Sequence, residues 1–209
     1  MRLRNVKGAK EKIESSVYII KDCEKYKGNY NKIFKNNNPI HIEIGMGKGN
    51  FIIKMAKKNP NINFIGIEKF DSVIVRALEK LEEEKIKNLK LIRMDAENIK
   101  EVFYHEIDKI YLNFSDPWPK ERHEKRRLTS LNFLKKYDDL FRKSKNIVFK
   151  TDNRKLFEYS IISFVNYDYK IKNISLDLHK DQIENVETEY EIKFSSKGFP
   201  IYLVEIVKK

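Results

Sequence analysis

The chain has 209 residues, of which 41% are hydrophobic and 12% aromatic, so it can bury a large core and is not intrinsically disordered. Lys and Arg number 43 against 31 Asp and Glu, which gives a formal net charge of +12 and favours a polyanionic partner. The lone Cys23 excludes an intramolecular disulfide framework, and no apolar run approaches the ~20 residues of a membrane span, so we expect a single domain, 1–209, in the cytoplasm with no membrane partner.

The N-terminal segment, residues 1–38, lacks a strong strand pattern. Basic residues are spread over its first twelve positions and form either a solvated tail or an arm that contacts RNA. A short helix between Tyr18 and Tyr30 is predicted to cover one edge of a sheet. Pro39 ends the loop before the first strand, so the core is expected to cover residues 39–209.

A strand, a glycine turn and a helix open this core. Residues 40–44 alternate apolar and polar, and Gly45, Gly47 and Gly49 follow. Glycine permits positive φ and lets a ligand approach the backbone closely. Glu43 would repel a pyrophosphate and suits a cation, so E-x-G-x-G-x-G favours S-adenosylmethionine over a dinucleotide and resembles the first motif of class I methyltransferases. The structural alternative is an ordinary turn with incidental glycines.

Two further acids follow predicted strands. Glu68 lies at about the separation from the glycine turn where a βαβ unit places a ribose-binding carboxylate, although it could also serve the N-terminus of the next helix. Asp95 follows the third strand. In a class I site an acid here accepts from the exocyclic amine of adenine, and the backbone of Ala96 reads the ring edge. Its alternative is to cap the following helix.

The most distinctive run of the chain, residues 115–129, leaves the fourth strand. Ligands in open α/β sheets bind beyond the carboxyl ends of strands, so this loop is expected at the site. Two prolines restrict its backbone and would hold Asp116 and Trp118 in place. Basic side chains beside an aromatic ring suit a polynucleotide, and they are Lys120, Arg122, His123, Lys125, Arg126 and Arg127. An Asx turn and a solvated loop are the structural alternatives.

This loop carries a family resemblance. Asn113-Phe114-Ser115-Asp116-Pro117-Trp118-Pro119-Lys120, with Arg122-His123 and Lys125-Arg126-Arg127, resembles the signature of the bacterial tRNA (guanine-N7-)-methyltransferase family, and the similarity runs from about residue 40 to the C-terminus. The family usually has proline where this chain has Ser115. The resemblance implies methyl transfer from S-adenosylmethionine to N7 of guanine 46 in the tRNA variable loop, giving 7-methylguanosine. We expect no metal site, and both a monomer and a homodimer stay open.

The resemblance also implies roles for individual residues. Asp116 would be catalytic, by stabilising charge on the methylated guanine, or would bind the ammonium end of the cofactor. The expected cofactor-binding residues are Glu43, Gly45, Gly47, Gly49, Glu68, Asp95, Ala96 and Asp116. Thr188-Glu189-Tyr190-Glu191 resembles the family's T-x-Y-E segment, and the expected substrate-binding residues are Lys120, Asp152, Thr188 and Glu191. RNA would be bound by Arg122, His123, Lys125, Arg126 and Arg127. Asp152 could instead cap the next helix.

Together these elements predict an α/β fold of the class I S-adenosylmethionine-dependent methyltransferase type. The Rossmann-like sheet would have seven mostly parallel strands, helices on both faces and an antiparallel C-terminal strand. The predicted strands cover 40–44, 61–68, 88–94, 108–114, 145–151, 169–178 and 201–207, and the predicted helices 51–58, 71–85, 97–103, 129–143 and 154–166. Two rival functions stay open, namely a class I methyltransferase acting on an exocyclic amine of a nucleic-acid base and an RNA-binding module without catalysis.

Overall fold

The computed structural model describes residues 6–181 and 183–209, and its centre is a seven-stranded sheet. The strands are β1 (Ile40–Ile44), β2 (Asn63–Glu68), β3 (Leu89–Arg93), β4 (Lys109–Asn113), β5 (Lys145–Thr151), β6 (Lys170–Ser175) and β7 (Tyr202–Lys208). Their order across the sheet is β3-β2-β1-β4-β5-β7-β6. Neighbours from β3 to β5 run parallel, and β7 lies antiparallel between β5 and β6, which confirms the predicted fold class.

Helices cover both faces of the sheet. They are α1 (Ala9–Ser15), α2 (Asn31–Phe34), α3 (Asn50–Lys58), α4 (Asp71–Glu84), α5 (Ile99–Val102), α6 (Leu131–Tyr137), α7 (Arg154–Asn166) and α8 (Glu189–Ser195). Apolar side chains of α1, α3 and α4 pack against the sheet in one cluster. Apolar side chains of α5, α6 and α7 pack against it in a second cluster. Because both faces are covered, most residues of the parallel strands are buried, even where polar residues such as Glu43 interrupt the apolar ones. No helix among residues 6–181 and 183–209 is long and apolar enough to cross a bilayer.

The N-terminal segment covers the β3 edge, but not with the predicted helix. Tyr18 and Ile20 hydrogen-bond through their backbones to Leu91 of β3, and a short 3₁₀ turn follows at Cys23–Tyr26. The sheet edge offers unpaired backbone groups, so an extended chain satisfies them better than a helix does. Arg2 and Arg4 of the expected basic arm lie outside the described residues.

The other edge strand and one helix also differ from the predicted bounds. α6 ends at Tyr137 rather than at 143, because Leu140 and Phe141 turn into the core and Phe141 pairs with Ile107. β6 is shorter than predicted and has a bulge between Ile171 and Asn173. Neither change alters the carboxyl ends of the parallel strands, where the candidate site lies.

The glycine turn after β1 has two different steric requirements. Gly45, Gly47 and Gly49 all have positive φ, between 58° and 76°, which L side chains adopt at a cost. A Cβ atom on Gly45 or Gly47 would meet nothing within 4 Å, so those positions are open to a ligand. A Cβ atom on Gly49 would lie 3.0 Å from Cβ of Ala77 in α4. Gly49 therefore serves the packing of α3 on α4.

We expect Gly49→Ala to lower the free energy of unfolding more than Gly198→Ala. Both substitutions force a left-handed backbone, which costs about 1–2 kcal/mol, but only the first also places a Cβ against Ala77. Urea unfolding of the two variants measures the difference. Equal losses of stability would show that the contact with α4 is not limiting.

Candidate active site

A cavity of about 790 Å³ opens where β1, β2, β3 and β4 end. It lies at the point where the chain order of the strands reverses, and open α/β sheets bind ligands there. The sequence-predicted residues that line it are Gly45, Gly47, Glu68, Asp95, Ala96, Asp116 and Arg126. The sheet thus brings together residues from four separate strand ends.

Glu43 lies beneath this cavity rather than in its wall. It is 2% exposed, and its Oε1 accepts a hydrogen bond of 2.8 Å from Nδ2 of Asn113. No donor among the described residues reaches its Oε2. Burial raises the pKa of Glu43 to about 8, so near neutral pH the carboxyl group is largely protonated. The predicted preference for a cationic ligand therefore does not rest on an exposed, fully ionised carboxylate, and the role of Glu43 in cofactor binding stays a prediction.

Glu68 ties the end of β2 to the glycine turn. Its Oε1 accepts from the backbone N–H groups of Lys69 and Phe70, at 2.8 and 3.1 Å, and its Oε2 accepts from Gly47 N at 3.2 Å. The carboxylate thus fixes the shape of the cavity floor.

Asp95 caps the following turn and also lines the cavity. Its Oδ1 accepts from Glu97 N at 3.1 Å and so caps the following turn, while its Oδ2 lies 3.5 Å from Nζ of Lys69. The exposed side chain also lines the cavity, next to Ala96.

Asp116 and Trp118 stand on a loop with an unusual backbone. Trp118 and Phe114 have φ values of 41° and 50°, in the left-handed region that disfavours residues with side chains. Asp116 is exposed, and none of the described residues donates a hydrogen bond to it or pairs with it. Its carboxylate is therefore available to a ligand in the cavity.

Arg127 holds this loop from the inside. Its Nε and Nη2 donate to the carbonyl oxygens of Pro117 and Trp118, both at 3.1 Å. Its guanidinium lies 4.2 Å from the centre of the Tyr159 ring, and the Tyr159 hydroxyl donates to Glu124 at 2.9 Å. Two of the five guanidinium donors of Arg127 are thus used within the protein, which favours an internal role for this side chain, while its predicted contact with RNA stays a prediction.

The other basic residues of the loop face solvent. Lys120, Arg122, Lys125 and Arg126 are exposed, and no described carboxylate pairs with them. The Arg126 guanidinium lies 4.9 Å from the centre of the Trp118 ring, and the His123 ring packs edge-on against the same indole at 5.6 Å. This loop therefore presents exposed positive charges, and Arg126 carries one of them into the cavity wall.

Aromatic residues form part of the cavity wall. Phe114 and Tyr190 line the cavity, with ring centres 5.0 Å apart, and Tyr190 stacks on Phe194 at 4.1 Å. The Tyr190 hydroxyl donates to Oδ2 of Asp152 at 3.4 Å. Asp152 does not cap α7, because the side chain of Asn153 accepts from Leu156 N and takes that role.

Thr188 and Glu191 are not in the cavity, although they were expected to contact substrate. They form a capping box at the start of α8, in which Thr188 Oγ1 accepts from Glu191 N at 2.9 Å and Glu191 Oε2 accepts from Thr188 N at 3.3 Å. Glu191 is fully buried and pairs with Lys150 at 2.7 Å. In this structure their polar atoms serve the start of α8, and their expected contact with guanine stays a prediction.

Comparisons with known proteins agree with this geometry. A family profile described as "Putative methyltransferase" matches residues 37–204. A tRNA (guanine-N(7)-)-methyltransferase of Lachnoclostridium phytofermentans is 52% identical to this chain and covers 97% of it and 96% of that protein. One of Bacillus subtilis (strain 168) is also 52% identical and covers 99% and 98%. The chain belongs to the tRNA (guanine-N(7)-)-methyltransferase family.

Membership of the tRNA (guanine-N(7)-)-methyltransferase family confirms the predicted enzyme class. A solved structure called an antibiotic-related methyltransferase superposes with a TM-score of 0.63 at 18% identity, covering 87% of this chain and 92% of that one, and supports the fold alone. Sequence reasoning missed Tyr190 as a cavity residue of this family member. Its position inside the T-x-Y-E segment was the available signal.

The burial of the Glu43 carboxyl group can be tested by measuring the free energy of unfolding as a function of pH. Because the pKa of Glu43 is raised from 4.5 to about 8, the folded protein retains a proton that the unfolded chain releases. The contribution of Glu43 to stability is therefore largest at low pH and falls as pH rises through this window, by at most ~1.4 kcal/mol per pH unit. We expect Glu43→Gln to flatten the fall of stability with pH, as measured by urea unfolding. Parallel pH profiles of the two proteins would contradict the buried, protonated state.

Arg127 and Arg126 form a matched pair for a second test. We expect Arg127→Ala to lower turnover, on the order of 10²-fold, because the loop that carries Asp116 loses its clamp. Its tRNA affinity should keep the salt dependence of the parent. Arg126→Ala should instead reduce the slope of log affinity against log salt by about 1, as expected for a lost phosphate contact. Equal changes of slope in the two variants would reject the internal role of Arg127.

Proposed function

We propose that the chain methylates N7 of guanine 46 in the variable loop of tRNA and that the product is 7-methylguanosine. The methyl donor is S-adenosylmethionine, which supplies the methyl group from its sulfonium centre. The observation that carries the proposal is Asp116, a solvent-exposed carboxylate without an internal partner, in the same cavity as the glycine turn.

The cavity residues suit this donor. The open Gly45–Gly47 turn leaves room for a chain of atoms against the backbone. Glu43 lies in β1, two residues before Gly45, and is buried; the positive charge of a bound donor would favour the ionised form of its carboxyl group. Glu68 and Asp95 would accept from ribose hydroxyls and from the adenine amine, and apolar side chains such as Phe70 and Val73 line the wall beside them.

The acceptor atom needs little chemical help. N7 of guanine has a lone pair and no proton near neutral pH, so no general base has to remove one. The protein has to align the two substrates and exclude water. The guanine ring becomes positively charged as the new bond forms, and a fixed carboxylate nearby stabilises that charge. Asp116 is our candidate for this role or for binding the donor's ammonium.

The aromatic wall supports a base-binding role. A purine fits between an offset ring such as Tyr190 and the opposite wall, because aromatic stacking needs only a flat face. Oδ2 of Asp152 accepts from the Tyr190 hydroxyl at 3.4 Å, and the two carboxylate oxygens keep lone pairs that would accept from both N1–H and the exocyclic amine of guanine. Adenine does not present that pair of donors, so Asp152 would select guanine.

The charged mouth of the cavity supports tRNA as the substrate. Lys120, Arg122, Lys125 and Arg126 would bind phosphates on either side of the target base, with His123 beside them. A base stacked in folded tRNA has to be extruded first, which costs a few kcal/mol, and the cations would offset that cost. We place this reaction in the cytoplasm, where tRNA is the abundant polyanion, and propose a monomer or homodimer.

We expect Asp116→Asn to reduce turnover by roughly 10²–10³-fold, because the substitution keeps the size of the side chain but removes its charge. The assay uses labelled donor and unmodified tRNA, and circular dichroism checks the fold. Asp168→Asn is the matched control, since Asp168 is exposed and does not line the cavity. Near-parental turnover of Asp116→Asn would remove its catalytic role.

Mapping of the modified nucleosides decides the reaction itself. We expect 7-methylguanosine as the only new nucleoside, and its absence from tRNA lacking guanine 46. An N-methylated adenosine or guanosine would favour the rival reaction on an exocyclic amine. Failure to bind S-adenosylmethionine in calorimetry would favour RNA binding without catalysis.

A further inference from the structure

A buried lysine joins the sheet to the segment that precedes and begins α8. Lys150 lies near the carboxyl end of β5 and is 1% exposed. Its Nζ lies 5.1 Å from the centre of the Phe51 ring. Burying an ammonium group is unfavourable unless its N–H donors are paired. The partners of Lys150 therefore indicate which part of the structure the buried lysine holds in place.

All the donors of Lys150 go to one short segment, residues 185–191. Nζ donates to Oδ1 of Asn185 at 3.0 Å, to the carbonyl oxygen of Val186 at 3.0 Å and to Oε2 of Glu191 at 2.7 Å. An ammonium group has three donors, and this segment uses all three. The contact is therefore a fully satisfied anchor and not an incidental ion pair.

Glu191 is equally satisfied. Besides Lys150 and Thr188 N, its carboxylate accepts from Nδ2 of Asn185 at 2.5 Å and lies 3.2 Å from Nε2 of His179. His179 also lies 3.6 Å from Glu187, so three side chains with metal-binding atoms are close together. Because four donors already surround the Glu191 carboxylate, this cluster is a closed hydrogen-bond network and not an open metal site.

The anchor determines where the base-binding wall stands. Tyr190 precedes Glu191 and points into the cavity, where it meets Phe114 and donates to Asp152. Successive residues at the start of a helix point in different directions, so fixing Glu191 in the interior fixes Tyr190 on the cavity side.

We propose that Lys150 is a positioning residue for the target guanine, because its ion pair with Glu191 fixes the first turn of α8 and thereby sets Tyr190 beside Asp152. In this proposal Lys150 contacts neither the methyl donor nor the guanine. The proposal rests on the proposed function for its effect on turnover, and its structural part is measurable without any turnover.

The test compares Lys150→Met with the double variant Lys150→Met/Glu191→Gln. The single variant leaves Glu191 buried without its cation and should lower the melting temperature, whereas the double variant should recover most of that loss because no buried charge is unpaired. We measure turnover at saturating S-adenosylmethionine and divide it by the concentration of sites that bind S-adenosylmethionine. We expect this value to stay at least ~10-fold below that of the parent protein in both variants. Amide exchange of residues 185–195 should be at least ~10-fold faster in both, because the anchor is missing.

A neighbouring ion pair provides the matched control. Nζ of Lys109 lies 3.0 Å from Oε1 of Glu205, their side chains are 23% and 16% exposed, and neither hydrogen-bonds to residues 185–191. We expect Lys109→Met/Glu205→Gln to keep both turnover and amide exchange of the α8 segment. A parallel loss in this control would overturn the proposal, because it would show a general response of the sheet.

Two further results would overturn the proposal that Lys150 positions Tyr190. One is parental turnover in the Lys150→Met/Glu191→Gln variant, and the other is unchanged amide exchange of residues 185–195 in that variant. If the double variant does not fold, Asn185→Ala removes one acceptor of Lys150 at a half-buried position and is judged by the same two measurements. If the parent protein produces no 7-methylguanosine, the proposed function fails, while amide exchange still decides whether Lys150 fixes α8.

Discussion

The parallel pairing of β1 with β2 on one side and with β4 on the other is the constraint on which the site depends. Ile42 sits in register with Ile65 and Ile110, so the three strands end at one level of the sheet. The chain leaves β1 toward β2 and later returns to β4 on the opposite side, and a crevice opens between the two paths. Strand pairing therefore brings residues that are far apart in the chain into one cavity.

The loop after β4 shows how a functional loop is kept rigid at a local cost. Phe114 and Trp118 adopt left-handed backbone conformations, each unfavourable by about 1–2 kcal/mol for residues with a side chain. The guanidinium of Arg127 offsets this cost by donating two hydrogen bonds to loop carbonyl oxygens, and it packs over the ring of Tyr159. The exposed Asp116 thus stands on a backbone that is held from within.

Features that depend on a local sequence pattern were the easiest to predict. The parallel strands and the acidic residues at their carboxyl ends were recognisable, because apolar periodicity and the glycine turn mark where a strand stops. The sequence could not tell which of several similar residues turn inward. Arg127 and Arg126 look alike in a basic run, and Asn153 and Asp152 are equally good caps, so only packing decides between them. Burial of Glu191 depends on β5, which is distant in the chain.

Both borders of the sheet are protected against strand addition. At the β3 border, the backbone of Tyr18 and Ile20 already uses the groups of Leu91. At the β6 border, the bulge after Ile171 breaks the regular ladder that an incoming strand would need. An isoleucine-rich sheet of this kind would otherwise be a template for intermolecular aggregation. Within residues 6–181 and 183–209, both features disfavour a continuous β-sheet shared between copies.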